Sequence, residues 1–159
     1  PLSRWARDVG AIYGGRVPVQ IQHAILLPPT ALALMTAAVF GRLYMDRIAE
    51  IRARRIHPQQ LATAKQAHDT LENVAASDHY RNLFEAPVLF YVLCGFLAIT
   101  QLTTVSLLAC AWGYVFLRAA HTFIHLTSNK VIRRFQVFFA SSIVLFAMWL
   151  LFLIRLLTA

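Results

Sequence analysis

The residues best suited to chemistry in this chain lie on the faces of two predicted helices. Asp78, Asn82 and Glu85 follow the spacing i, i+4, i+7, which puts them on one face of a helix, with Arg81 beside them. Glu85 lies at the edge of a long apolar run, and a carboxylate that faces lipid costs on the order of 3 kcal/mol at the centre of a membrane helix and less near its end. We therefore expect Glu85 to face other helices and to meet a cation.

A second polar face lies further along the chain and supplies candidate cations. It consists of Tyr114, Arg118, His121, Thr122 and His125. Their spacing puts them on one face of a helix, and Arg118 is the predicted partner of Glu85. Arg133 and Arg134 follow in what the sequence predicts to be a short loop before the last helix.

Taken alone, these residues are compatible with two kinds of polar site. In the first, Glu85 and Arg118 form a structural ion pair, Asn82 bonds helix to helix, and arginines at the boundary bind lipid phosphate. In the second, the same groups line a pocket for an anionic ligand, open to the cytoplasm and walled by apolar helices. Ionisable residues inside a membrane indicate a functional site by default, and both interpretations stay open at this point.

Two histidines one helical turn apart also raise the question of a metal site. His121 and His125 could share a metal ion, with Glu85 or His79 completing the ligands. The His-x-x-x-His motif is weak by itself, and membrane di-iron enzymes use many more histidines than the six in this chain. The sequence therefore does not favour a metal site at these residues.

The composition is that of a membrane protein. Of the 159 residues, 58% are apolar or aromatic and only 14% are charged, and the mean hydropathy is +0.58, which excludes a water-soluble monomer. The formal charge is +8, but the basic residues flank apolar runs, so a lipid bilayer is the expected partner and nucleic acid is not. Cys94 and Cys110 each lie within an apolar run, where we interpret them as core residues.

The charge-free runs predict four membrane helices. Residues 24–41 and 135–154 are each close to the ~20 residues that cross ~30 Å of hydrocarbon. The run at 86–117 is too long for one span, and Thr-Gln-Leu-Thr-Thr at 100–104 predicts a turn that folds it into a hairpin. The apolar runs show no period-2 alternation of apolar and polar residues, so helices are preferred to a β-barrel. The predicted fold is all-α, a single four-span antiparallel helix bundle over residues 21–159, after an extramembrane segment at 1–20.

The loops predict the orientation of this multi-pass protein. The loops at 42–81 and 130–134 are basic and fall on one side, whereas the turn at 100–104 has no charge. The positive-inside rule puts both basic loops in the cytoplasm, with the protein in a bacterial inner membrane or its equivalent.

The first loop and the prolines carry further predictions. Residues 42–55 continue a helical pattern that His57 and Pro58 end, and a second helix is predicted from 59 to 81, running straight into the second span. Pro28, Pro29 and Pro87 predict kinks within spans.

Two stretches resemble a known family. The sequence Asp-His-Tyr-Arg-Asn-Leu-Phe-Glu-Ala-Pro-Val-Leu-Phe-Tyr at 78–91 is similar to the signature of MAPEG, the membrane-associated proteins in eicosanoid and glutathione metabolism, whose second helix carries Asn-x-x-Glu followed by Pro. The sequence Arg-Ala-Ala-His-Thr-Phe-Ile-His at 118–125, with Arg133 and Arg134 after it, resembles the family's third helix and the loop into its fourth. The chain looks like a bacterial-type member.

The resemblance implies a homotrimer in which glutathione, as co-substrate, lies between neighbouring subunits. The residues that it assigns to the glutathione site are Arg81, Asn82, Glu85, Arg118 and His125. Arg134 would lie beside the thiol. The chain departs from the family pattern at Asp78, where many members have arginine, and at His125, where they often have tyrosine.

Thiol chemistry gives Arg134 a role on physical grounds. A thiol with a pKa of ~8.5 must ionise before it attacks, and lowering that pKa by about 2 units requires about 2.7 kcal/mol of preferential thiolate stabilisation. One arginine at hydrogen-bond distance in a partly dry site can supply this. Arg134 is the candidate, with His121 or His125 as an alternative donor or proton acceptor.

The predicted function is that of a glutathione-dependent transferase or peroxidase acting on a lipophilic electrophile that arrives from the bilayer. The alternative is a non-catalytic accessory or structural subunit that retains the fold and assembles with partner subunits of a larger membrane complex.

Overall fold

The computed structural model describes residues 19–63, 66, 70, 84–128 and 130–158. The described residues include five α-helices with defined bounds and one 3₁₀ turn at Pro58–Leu61, and residues 66 and 70 are also helical; no strand lies among the described residues. The helices are α1 (Val19–Ala24), α2 (Leu27–Arg54), α3 (Ala86–Thr100), α4 (Val105–Leu126) and α5 (Val131–Thr158). The predicted all-α fold is confirmed, whereas residues 1–18 of the predicted extramembrane segment lie outside the described residues.

The first long helix begins at a proline pair and runs well past the apolar run. Pro28 and Pro29 lie in the first turn of α2, after a turn in which Leu26 N–H donates to the His23 carbonyl at 3.0 Å. The predicted mid-span kink is therefore a helix start, because first-turn N–H groups have no intrahelical partner and proline lacks the N–H. α2 continues to Arg54 and ends at Arg55, whose φ is 53°.

The second span begins later than predicted. α3 starts at Ala86 with Pro87 in its first turn, and Glu85 has the non-helical angles φ −93° and ψ −95°. The helix predicted from 59 to 81 does not begin at 59, since Pro58–Leu61 is a 3₁₀ turn, and it does not run straight into this span, since Phe84 and Glu85 form a turn and a bend. The ring of a proline clashes with the carbonyl four residues earlier, which stops a helix from continuing through this point. Residues 66 and 70 are helical, as predicted, and residues 71–81 lie outside the described residues.

The hairpin predicted between the second and third helices is confirmed. α3 ends at Gln101 in the left-handed conformation, and the Thr104 side chain caps α4 by accepting from Leu107 N–H at 3.2 Å. The buried side-chain amide of Gln22 binds this turn twice: it accepts from Thr103 N–H at 3.0 Å and donates to the Thr103 carbonyl at 3.3 Å. These two bonds join the start of the bundle to the hairpin.

The core lies where α3, α4 and α5 meet α2. Its centre is apolar, with Phe90 and Tyr114 stacked at 4.4 Å between ring centroids and Leu145 and Met148 fully buried. Cys94 is buried in this cluster and Cys110 packs against it, as predicted.

The outer faces are apolar as well, which identifies an integral membrane protein. Within the part of the chain that the structure describes, three helical segments are long and apolar enough to cross a membrane: Ile21–Arg54, α4 and α5. α3 is apolar but has 15 residues, about 22 Å at 1.5 Å per residue. Phenylalanines at α5 positions such as Phe139 and Phe146 are more than half exposed, as expected of a surface that faces lipid.

Candidate active site at the polar end of the bundle

The buried face of α4 changes from apolar to polar along the helix. Its first half buries Leu107, Ala111 and Tyr114, and its second half buries Arg118, His121, Thr122 and His125. All four polar residues are at most 9% exposed, and Arg118 is completely buried. Because these residues recur at helical spacing, they form one face of α4 that is buried along the whole helix. The polar groups of this face therefore lie together at one end of the bundle.

Arg118 lies between α4 and α5. Its guanidinium carbon lies 5.6 Å from the centre of the Phe138 ring, within the range of a cation–π contact. Its backbone carbonyl accepts a hydrogen bond from the Thr122 hydroxyl at 2.9 Å. Phe138 was not among the residues selected from the sequence, although its place one turn after Arg134 on α5 could have suggested it.

Glu85 differs from the expectation that it faces helices of its own chain. It is exposed, because the helix starts only after it at Ala86. Its carboxylate is near enough to Arg118 to interact electrostatically. Among the described residues, however, ion pairs within 4 Å are formed by Arg42 with Asp46 and by Glu50 with Arg54, so the predicted Glu85–Arg118 salt bridge is not formed in the single chain.

Arg134 lies in the first turns of α5 rather than in a loop. The helix begins at Val131, and Arg134 N–H donates to the Lys130 carbonyl at 3.0 Å. The connection from α4 is thus shorter than the sequence predicted, because the apolar run of the last span extends back over the basic residues. This places Arg134, half-buried, directly opposite the polar half of α4.

Two histidines of α4 contact Arg134. His121 Nδ1 lies 3.2 Å from the Arg134 carbonyl oxygen, and His125 Nε2 lies 3.1 Å from Arg134 Nη1. The two imidazole rings are 5.9 Å apart between centroids. Within the described part of the chain, no group of three His, Cys, Asp or Glu residues is placed to hold a metal ion. His121 Nδ1 and His125 Nε2 instead contact Arg134.

A cavity of about 220 Å³ adjoins this cluster. Its lining residues are His121, Val131, Arg134, Phe135 and Phe138. One histidine and one arginine thus face a wall that is otherwise apolar and aromatic. Such a cavity can take a group that is negatively charged at one point and lipophilic elsewhere.

Two predicted site residues cannot be placed beside this cavity. Arg81 and Asn82 lie outside the described residues, as do Asp78 and His79. The site described here is therefore built from α4 and α5, with Glu85 at the start of α3.

Comparison with known proteins gives the family. No characterised protein and no solved structure matches the chain significantly. The model of the MAPEG family matches residues 25–154, from the turn before α2 to the last turns of α5. This match covers most of the chain and includes Glu85, the polar half of α4 and Arg134. The chain therefore belongs to the MAPEG family of membrane proteins.

Proposed function

We propose that this protein is a glutathione-dependent transferase or peroxidase that acts on a lipophilic electrophile within the membrane. The observation that carries the proposal is the position of Arg134, a permanent cation at the wall of a cavity that is otherwise largely apolar. An ionised thiol and a water-insoluble electrophile need these two surroundings side by side.

Arg134 supplies the thiolate with a charged hydrogen-bond donor. A guanidinium carries five N–H groups and remains protonated at any physiological pH. In a partly dry site, its interaction with an anionic sulfur is stronger than in water. The thiol proton passes to a base before the attack, and the sulfur lone pair then forms a bond to the electrophilic atom while the bond from that atom to its leaving group breaks and the leaving group departs with the electron pair. With a hydroperoxide the O–O bond breaks and the alcohol leaves, and a second glutathione thiol then reacts with the oxidised sulfur to give the disulfide and water.

His121 is the proposed proton acceptor. A carbonyl oxygen can only accept, so the contact with the Arg134 carbonyl requires a hydrogen on His121 Nδ1. In the neutral ring the lone pair is then on Nε2, the nitrogen that can take the thiol proton. His121 lines the cavity beside Arg134, and its Nε2 is buried in the single chain, so the proposal requires the thiol to reach this nitrogen from the cavity.

The charges at this end suit the rest of the tripeptide. Glutathione has two carboxylates and one ammonium group, so it needs several cations and one anion. Arg118 and Arg81 are proposed for the carboxylates, and Glu85 and Asn82 for the amino group and peptide. Glu85 is available for this because it is exposed in the single chain.

The proposed assembly is a homotrimer with sites between subunits and α3 along the threefold centre. The cavity of one chain is smaller than the ~300–1,000 Å³ of typical small-molecule pockets, which supports a site completed by a neighbour. α3 has an outward apolar face that includes Val88, Val92 and Phe96. The mass of the particle in mild detergent tests the trimer.

An accessory subunit without catalysis is the alternative, and one observation favours it. Arg134 is hydrogen-bonded within its own chain, to His125. In a purely structural protein, such contacts would satisfy the polar groups of α4 and α5 without any ligand.

The test is a glutathione titration of the purified protein in detergent, followed by transfer to 1-chloro-2,4-dinitrobenzene as a generic electrophile. Saturable binding of glutathione, with transfer that Arg134→Ala slows and Arg155→Ala at the other end of α5 does not, would support the enzyme. Absence of binding at millimolar glutathione, or recovery of the chain only with other membrane subunits, would favour the accessory role.

A further inference from the structure

Arg134 is attached to α4 at two points that lie one helical turn apart. Its backbone carbonyl contacts His121 Nδ1 at 3.2 Å, and its guanidinium contacts His125 Nε2 at 3.1 Å. Both histidines are almost completely buried, whereas Arg134 is half-buried. The first contact fixes the backbone of α5 and the second fixes the end of the arginine side chain.

The donor inventory determines the state of His125. A guanidinium nitrogen has hydrogens and no lone pair, so it can only donate. His125 Nε2 must then be the acceptor and cannot carry a hydrogen. It follows that His125 is a neutral imidazole with its hydrogen on Nδ1. The chemical state of the ring is thus set by the arginine that it binds.

We propose that His125 is a positioning residue that orients Arg134 toward the thiolate, a role that rests on the proposed function of the site. A flexible arginine loses rotamer freedom when it is held in one orientation. His125 holds one Nη1–H, so this entropy is lost on folding and not in the transition state. The family resemblance would instead have His125 bind glutathione itself.

The two roles predict different kinetics. A residue that contacts glutathione in the ground state changes KM when it is replaced, whereas one that orients the thiolate donor changes kcat. His125→Phe keeps an aromatic ring and removes the acceptor. It should lower kcat at least tenfold and leave KM for glutathione within about twofold.

Rescue separates positioning from packing. His125→Tyr replaces the ring-nitrogen acceptor with a hydroxyl oxygen that can accept from Arg134, and it should recover at least part of the kcat lost in His125→Phe, because the acceptor and not the ring shape is required. His23→Phe is the matched control, since His23 is an exposed histidine before α2 and lies outside the site. It should leave both constants unchanged.

A spectroscopic measurement tests the proposal without catalysis. In ¹⁵N-labelled protein in lipid nanodiscs, His125, assigned by its loss in His125→Gln, should show a hydrogen on Nδ1 and none on Nε2 at neutral pH. Arg134→Ala should remove this preference. A hydrogen on Nε2, or no effect of Arg134→Ala, would overturn the positioning role even if the protein proves to be a glutathione enzyme.

The kinetic outcomes are equally decisive. A raised KM with unchanged kcat in His125→Phe would show that His125 binds glutathione directly and would overturn the proposal. The expected tautomer in a protein that binds no glutathione would support the contact with Arg134 and reject the proposed function alone.

Discussion

At the residue scale, the contribution of Arg134 to the free energy of folding depends on whether it lies in a loop or in a helix. In a solvated loop its charge would contribute little to folding, since exposed ion pairs contribute about 0–1 kcal/mol. In the first turns of α5 it is half-buried and hydrogen-bonded to His125. Its removal leaves a buried acceptor on His125, which typically costs about 1–3 kcal/mol.

Arg134→Ala is expected to change the pH dependence of transfer. Without the cation, the kinetic pKa of the bound thiol rises toward the ~8.5 of a free thiol, and turnover falls roughly tenfold for each 1.4 kcal/mol lost. The measurement is kcat against pH, with Arg134→Lys as the variant that keeps the charge. An unchanged profile in Arg134→Ala would remove Arg134 from the mechanism.

Glu85→Gln is expected to act on binding and assembly together. Because Glu85 is exposed at the start of α3, the single chain should fold without it. If it is buried between subunits beside Arg118, removing its charge leaves a buried cation, which costs about 3–5 kcal/mol for a broken pair. The mass of the particle in detergent should fall below that of a trimer, and the Kd for glutathione should rise at least tenfold. Asp46→Asn, which removes the more exposed ion pair with Arg42 on α2, is the control.

At the scale of the helices, the charge-free runs were sufficient to predict where helices exist but not where they begin. Burial in lipid requires every backbone group to be bonded within its helix, so a long apolar run predicts a helix reliably. The starts depended on Pro28, Pro29 and Pro87, which begin helices as readily as they kink them.

The candidate site was predictable to the same extent. Helical spacing was enough to place Arg118, His121 and His125 together on the inner face of α4. The contact of Arg134 with both histidines was not predictable, because it depends on α5 starting at Val131 and on how α4 packs against it. The role of Phe138 was not predictable, because nothing in the sequence distinguishes a site-lining phenylalanine from the other aromatic residues of an apolar run.

Gln22→Ala is expected to loosen the hairpin between α3 and α4. It leaves the buried N–H and carbonyl of Thr103 without the amide that they bind, and each such group typically costs about 1–3 kcal/mol. Thermal unfolding in detergent should show a clear loss of stability. Gln136→Ala on the exposed side of α5 should not. Equal midpoints for the two variants would show that the bonds to Thr103 contribute little.

At the scale of the whole molecule, the helices must alternate across the membrane. Cysteines at Gln59 and Gln101, in a background without Cys94 and Cys110, should be labelled from opposite sides by a reagent that does not cross the bilayer. Gln59 should be accessible from the cytoplasm, because the loop that contains it is basic and the turn at Gln101 is uncharged. Labelling of both from one side would refute the four-span topology.

The bonds between Gln22 and Thr103 also constrain how the chain is assembled during synthesis. The two residues are 81 positions apart. At ~5–20 residues per second, the ribosome needs about 4–16 seconds after making Gln22 to make its partner. Throughout that interval the side-chain amide of Gln22 lacks Thr103 as its hydrogen-bond partner, so α1 cannot yet be held in its final position. Among the described helices, α1 is therefore the first to be made and one of the last to be fixed in place, and its fixing reports that the turn between α3 and α4 has folded beside it.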